Sequence, residues 1–342
     1  MNEMNVKRGK KSSTIKKDLR RKIDDWLETI EDTEVRAMAK RDTIVTGGAI
    51  ASMLDGQKVN DYDVYFKTME TTVAVATYYV NQFNKEKGKL KSIVKSYNPV
   101  VKVFDAVNIK GIQEKRVGVF IKSAGIAGET EEAYNYFEMR PESEADDFID
   151  GMSADDRAIE EVIGQEMLND DVVSSAVDLA NDMKPQKKKY RPIFMSENAI
   201  TLSDKVQIVT RFFGSPKEIH DNYDYAHAMC YYERGTDNLV LKPEALECIL
   251  SKTLIYRGSL YPIASIFRVR KFLERGWRIT AGQLMKIMFQ ISALDLSDKQ
   301  VLREQLVGVD QMYMHQLINA LKEAEGRIDE TYLMKVIDEI FE

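Results

Sequence analysis

Thr43-Ile44-Val45-Thr46-Gly47-Gly48-Ala49-Ile50-Ala51-Ser52-Met53-Leu54, then Asp55-Gly56-Gln57-Lys58-Val59-Asn60, then Asp61-Tyr62-Asp63-Val64-Tyr65-Phe66 is the stretch that decides how this chain is read. Thr43-Ile44-Val45 is an apolar lead-in of strand type, and Ala49 to Leu54 carries a short helical pattern. Glycines at a strand-to-helix turn let the backbone come close to a phosphate, and a helix start offers unpaired N–H groups and a positive dipole end. Asp61 and Asp63 stand two apart at the start of an apolar strand, so the pleat sends both carboxylates to one face. Two carboxylates beside a phosphate cradle suit a divalent metal and in-line phosphoryl or nucleotidyl transfer. The competing reading is an ordinary turn before a strand with a polar start. Each half alone is common; both at this spacing weigh against it.

This run resembles the signature of the DNA polymerase β-type nucleotidyltransferase superfamily, a Gly-Gly or Gly-Ser turn followed by Asp-x-Asp. Its spacing is similar to that of the CCA-adding enzymes and bacterial poly(A) polymerases, although Ala51-Ser52 stand where those have Arg-Asp. The resemblance implies an α+β fold. It would have a small mixed β-sheet nucleotidyltransferase domain with flanking helices, and an all-α C-terminal domain. It also implies two Mg²⁺ ions held by Asp61, Asp63 and a third carboxylate, with Gly47, Gly48 and Ser52 on the β/γ-phosphates of a nucleoside triphosphate.

Asp224 is the expected third acid, on an aromatic-rich strand Tyr223-Asp224-Tyr225 through Tyr231-Tyr232. The stretch from Val206 through Gly214-Ser215-Pro216 to Tyr225 is also similar to bacteriophage-type nucleotidyltransferase-like proteins. Asp105 is the runner-up, and a turn Asp satisfied by backbone N–H groups is the plain alternative. His220 and His227 read as hydrogen-bonded core residues.

Composition sets the bounds. With 342 residues the chain has room for about two domains. Its 44% hydrophobic and 30% charged content is that of a water-soluble globular protein. No apolar run reaches the ~18 residues of a membrane span, and the N-terminus is too polar for a secretory signal. Cys230 and Cys248 make neither a disulfide framework nor a zinc site and read as buried thiols. The net charge of −6 argues against a uniformly basic nucleic-acid binder, but charge is segregated. Residues 1–22 are basic and read as a solvated tail or an arm on nucleic-acid phosphate, whereas Glu142 to Asp182 is acidic.

Along the chain, Ile15 to Lys40 predicts one amphipathic helix and Thr71 to Lys85 another. Strands are predicted around 100–104, 117–121, 199–202 and 206–212, and one or two helical turns over Pro216 to Asp221. Residues 126–190 form an acidic, helical insertion. The resulting division is a tail (1–22), a nucleotidyltransferase domain (23–240) and a helical domain (241–342). Within the last, Pro262 to Ile279 resembles the neck helix of CCA-adding and poly(A) polymerases. Pro262 would open it and Gly276 stop it, and Arg268 and Arg270 would meet triphosphate or RNA. Leu260, Tyr261 and Ala264 replace the residues that read the base in those enzymes, which implies weak base selectivity.

The expectation is a cytoplasmic enzyme (host cytoplasm if phage-encoded) that moves an NMP from an NTP to a hydroxyl, an RNA 3′ end among the acceptors. Two alternatives stay open: a phage or plasmid protein keeping the fold as a binding or virion-associated module, and nucleotidylation of a protein or small molecule. Oligomeric state stays open too.

Overall fold

The computed structural model describes residues 9–86, 97–108, 111–123, 189–195 and 198–296, with 301, 305 and 335. Where one N-terminal helix is predicted there are two, α1 (Ser12–Glu28) and α2 (Thr33–Asp42). The break has a local cause. Asp32 has extended backbone, and its carboxylate accepts the N–H groups of Glu34 and Val35 at 2.9 and 3.1 Å, an N-cap that begins a new helix. Nor does the basic tail reach residue 22. Ile15, Leu19, Ile23 and Trp26 are fully buried along one stripe of α1, while Lys16 and Arg20 pair with Asp237. These cations anchor a helix to the domain.

The decisive stretch folds as predicted, into β1 (Thr43–Thr46), α3 (Gly48–Leu54) and β2 (Tyr62–Phe66), followed by α4 (Met69–Glu86). β3 (Tyr97–Val107) and β4 (Gln113–Ser123) form a separate antiparallel ribbon. The expected insertion lies outside the described residues except for Lys189 and Tyr190. The chain resumes with β5 (Pro192–Met195), β6 (Ala199–Leu202) and β7 (Val206–Val209), the last ending three residues before its predicted end.

Among the described residues the main sheet has seven strands, ordered β5-β6-β7-β2-β1-β8-β9, with β8 at Tyr231–Glu233 and β9 at Asn238–Val240. β2 pairs in parallel with β7 and the other pairs are antiparallel, so the sheet is mixed. One face, with Val45, Val64, Phe66, Ile208 and Tyr232, packs under Trp26, Ile50 and Tyr79 of the helices. Each such side chain removed from water contributes about 1.5–3 kcal/mol. Trp26 donates its indole N–H to the Tyr79 hydroxyl at 2.8 Å, so the core keeps no orphan donor there. The opposite face holds a smaller cluster of Ile44, Tyr65 and Ile219. Ile219 comes from α5 (Pro216–His220), which is started by a Ser215/Glu218 capping box.

Beyond the sheet come α6 (Pro243–Ser251), α7 (Pro262–Glu274) and α8 (Ala281–Ser292). A short parallel pair, β10 (Thr253–Leu254) with β11 (Arg278–Ile279), interrupts what the sequence predicts as helix throughout. Pro262 opens α7 and Gly276, at φ 78°, follows its end, as the sequence predicts. The periodic run after Leu296 lies outside the described residues apart from isolated positions. Among the described residues no helix is long and apolar enough to cross a membrane. Cys230 and Cys248 are both buried thiols.

Candidate active site

β1 runs fully buried into Gly47, whose φ of 94° is open to glycine and costly for other residues. Space imposes the same choice. A Cβ on Gly47 would stand 2.7 Å from Asp63 Oδ2, so the backbone there lies directly against a carboxylate. The Gly47 N–H donates to the Ala228 carbonyl at 3.1 Å and is thereby committed. Gly48 is exposed, and a Cβ on it would meet nothing within 4 Å. Of the two glycines, Gly47 makes the close approach and Gly48 faces open space.

Register explains the position of Asp63. It sits opposite Thr46 on β1 and opposite Gln207 on the parallel strand β7. Asp61 immediately precedes β2, whose period of two puts Asp63 and Tyr65 on one face. Tyr223 reaches this face from the turn after α5, and its hydroxyl donates to that of Tyr65 at 3.2 Å. Burial first, then Tyr223 and Asp63 for Tyr65 and Asp63 for Tyr223, raises the pKa of both phenols well above the usual tyrosine value. Both keep their protons at neutral pH, so neutral donors stand beside the acid.

The third acid is placed differently from expectation. The strand β8 begins only at Tyr231, seven residues after Asp224, and Tyr223 to Cys230 is a turn, an isolated bridge from Tyr225 to Tyr256 and a short 3₁₀ turn (Ala226–Ala228). Its aromatic residues serve a core: Tyr225 packs on Tyr256 and Phe272. The Asp224 carboxylate accepts from Arg268 Nη1 at 2.6 Å, and its carbonyl takes the Arg257 N–H at 2.8 Å. Among the described residues no three His, Cys, Asp or Glu side chains gather as a metal group. Asp105 is exposed on the separate ribbon, opposite Lys115.

Because the Asp224–Arg268 pair is only partly exposed, its coupling is measurable. A double-mutant cycle of Asp224→Asn and Arg268→Gln, read by chemical denaturation, is expected to give about 1 kcal/mol. Additive single variants would show that the pair holds nothing together.

Arg268 and Arg270 leave α7 on different faces. Two residues on a helix are about 200° of rotation apart, and Arg270 is exposed with its Nε on Glu274 at 3.1 Å. Ser52, half-buried on α3, lines a cavity together with Gly48. Of the positions standing in for base readers, Leu260 and Ala264 are buried, and the Tyr261 hydroxyl accepts from Arg211. That arginine is itself buried between the rings of Phe212 and Tyr261.

His220 and His227 are both buried, as predicted for core residues. The Thr46 hydroxyl donates to the Cys230 carbonyl at 2.9 Å, so His220 Nε2 carries the hydrogen in its 2.8 Å bond to Thr46. Burial, then Lys242 and Arg257, pushes the His220 pKa down to about 4. The folded protein keeps this imidazole neutral over a range where the unfolded chain, titrating near 6.5, binds a proton. Its contribution is therefore complete above about pH 6.5 and falls away toward pH 4, by up to about 1 kcal/mol per pH unit. Denaturant unfolding at pH 7, 6 and 5 is expected to show this loss. His220→Gln, which keeps a donor to Thr46, should flatten it; an unchanged slope would assign the acid sensitivity to other groups.

Tyr65 is available to sequence reasoning by the same count of two that unites Asp61 and Asp63. Tyr223, Gln207 and Arg211 carry no such local signal.

A family model described as "Gabija anti-defense 2 family protein" matches residues 17–252, which takes in the main sheet and ends just after α6. No curated protein matches the chain. A solved structure, the Thermotoga maritima CCA-adding enzyme complexed with tRNA, aligns at 10% identity over 94% of this chain and 69% of that one, with a TM-score of 0.34. A likeness at that level carries no argument about activity.

Proposed function

The chain belongs to the Gabija anti-defense 2 family, and from its own site residues we propose that it is a metal-dependent nucleotidyltransferase, moving an NMP from an NTP to a hydroxyl acceptor with release of pyrophosphate. The observation that carries the reading is the close approach of the Gly47 backbone to the Asp63 carboxylate, two residues after Asp61. Hard oxygen donors fit Mg²⁺, which is commonly held by one or two carboxylates while substrate phosphates and water complete its shell. Asp61 and Asp63 would hold the ion, and when bound it would offset phosphate charge. A second ion would need Asp224, released from Arg268.

The chain's own groups have separate tasks in this reading. Gly48, the amides after it and Ser52 would border the β/γ-phosphates. Tyr65 and Tyr223 would fix the Asp63 carboxylate while staying protonated. Arg268, half-buried beside Asp224, would face the triphosphate or an RNA acceptor, and Arg270 would not. The acceptor oxygen forms its bond to the α-phosphorus as the bond to pyrophosphate breaks, and the hydroxyl proton passes to solvent. Most of the acceleration would come from charge already in place at the transferring group. The family's name directs the search for the acceptor toward the defence it counters as well as toward RNA.

A second reading, a binding module without turnover, is favoured by two observations: Gln207, not an acid, faces Asp63 across the ladder, and Asp224 is paired. One experiment separates the two. The protein is incubated with each labelled NTP, Mg²⁺ and cell lysate, and the label is sorted into RNA, protein and small molecules. Transfer into one fraction supports the enzyme. No transfer, with no Mg²⁺-dependent NTP binding by calorimetry, supports the module.

A further inference from the structure

Next to the Gly47–Asp63 contact lies a cavity of about 320 Å³. One wall is the face of α3 that carries Gly48, Ser52 and Asp55. Those residues recur at helical spacing, so the cavity follows α3 for roughly 10 Å at 1.5 Å rise per residue. Its near end is Gly48, one α-carbon (about 3.8 Å) from the glycine that touches Asp63.

The opposite wall is aromatic: Phe272 near the end of α7, Trp277 beyond it and His227 from the 3₁₀ turn. Phe272 is 4.5 Å from the His227 ring and 5.4 Å from Trp277, and His227 is 4.9 Å from Trp277, centroid to centroid. His227 and Trp277 are buried, so the wall is preformed and locked by its own packing. Lys58 and Arg275 stand at the rim, whereas the Asp55 carboxylate faces Lys252 at 3.3 Å. The lining is thus apolar on one side and net cationic at its edge.

We propose that this cavity takes the base and ribose of the donor nucleotide, with its phosphates directed past Gly48 toward Asp63. The assignment rests on the nucleotidyl-transfer reading above. The volume lies near the lower end of the ~300–1,000 Å³ range of ligand sites, enough for one nucleoside and too small for a strand. An aromatic wall accepts any base, because every base has a π-face. Aromatic rings grip planar groups without the buried donor–acceptor pairs that reject a wrong base, so the site holds NTPs with little discrimination among them.

The test uses the chain's two tryptophans. Trp26 is fully buried in the core, so a ligand-dependent fluorescence change reports Trp277. Titration with ATP, GTP, CTP or UTP in Mg²⁺ is expected to quench saturably at similar concentrations, and inorganic triphosphate is expected not to quench. Phe272→Leu should weaken NTP binding by about tenfold while calorimetric binding of inorganic triphosphate is unchanged. The wild-type titration stands even if that variant folds poorly. If NTPs bind and are turned over with no quench, or Phe272→Leu folds and binds them normally, the cavity assignment is overturned and the transfer reading survives. If wild type neither binds nor transfers, both are overturned.

Discussion

Asp63→Asn is expected to abolish nucleotide transfer while leaving the protein folded. A lost metal contact amounts to several kcal/mol at the transferring phosphate, and each ~1.4 kcal/mol is tenfold, so a fall of about a thousandfold or more follows. Stability should change little. Asn matches the shape of Asp, and it removes a negative charge, two residues from Asp61 in sequence, that acts on two buried phenols. With metal absent, that removal relieves repulsion. The midpoint of thermal unfolding should stay within about 5 °C, a difference of roughly 1–2 kcal/mol. Transfer of labelled NMP and a melt on the same preparation decide the matter; an active Asn variant removes Asp63 from the chemistry.

Gly47→Ala should damage both properties. The new methyl would meet Asp63 Oδ2 at 2.7 Å, and the backbone would keep a φ of 94° that alanine resists. The conformational part alone is about 1–3 kcal/mol, and moving Asp63 by about 1 Å would cost roughly a hundredfold in rate. Gly48→Ala is the matched control for stability. Its methyl meets open space, so stability should shift by less than about 1 kcal/mol. Equal effects at the two positions would mean that the close approach at Gly47 has no special role.

What was legible in the sequence was local. Gly47-Gly48, the short helix and Asp61/Asp63 lie within about twenty residues, and turn chemistry plus a period of two fixes their relation before any long-range contact forms. Asp224 was not legible, because its place depends on how the chain passes from α5 to α6. Aromatic density there suggested a strand, yet Tyr225 is buried against Tyr256 and Phe272 as a hinge of packing between the sheet and α7. The split of the first helix was legible at Asp32, whose carboxylate caps α2. Arg268 and Arg270 teach the converse of Asp61 and Asp63. A spacing of two unites side chains on a strand and separates them on a helix.

The position of β2 in the sheet has a consequence for motion. It is the fourth of seven strands, bonded to β1 on one side and β7 on the other. Local opening begins where backbone bonds are few and solvent is near, and a strand flanked on both edges opens among the last. The Asp-x-Asp carboxylates therefore ride on the part of the fold that yields latest, and fraying of their own strand is a poor way to admit or release a ligand. Any such gating belongs to elements other than β2, among them α7, whose Arg268 pairs with Asp224.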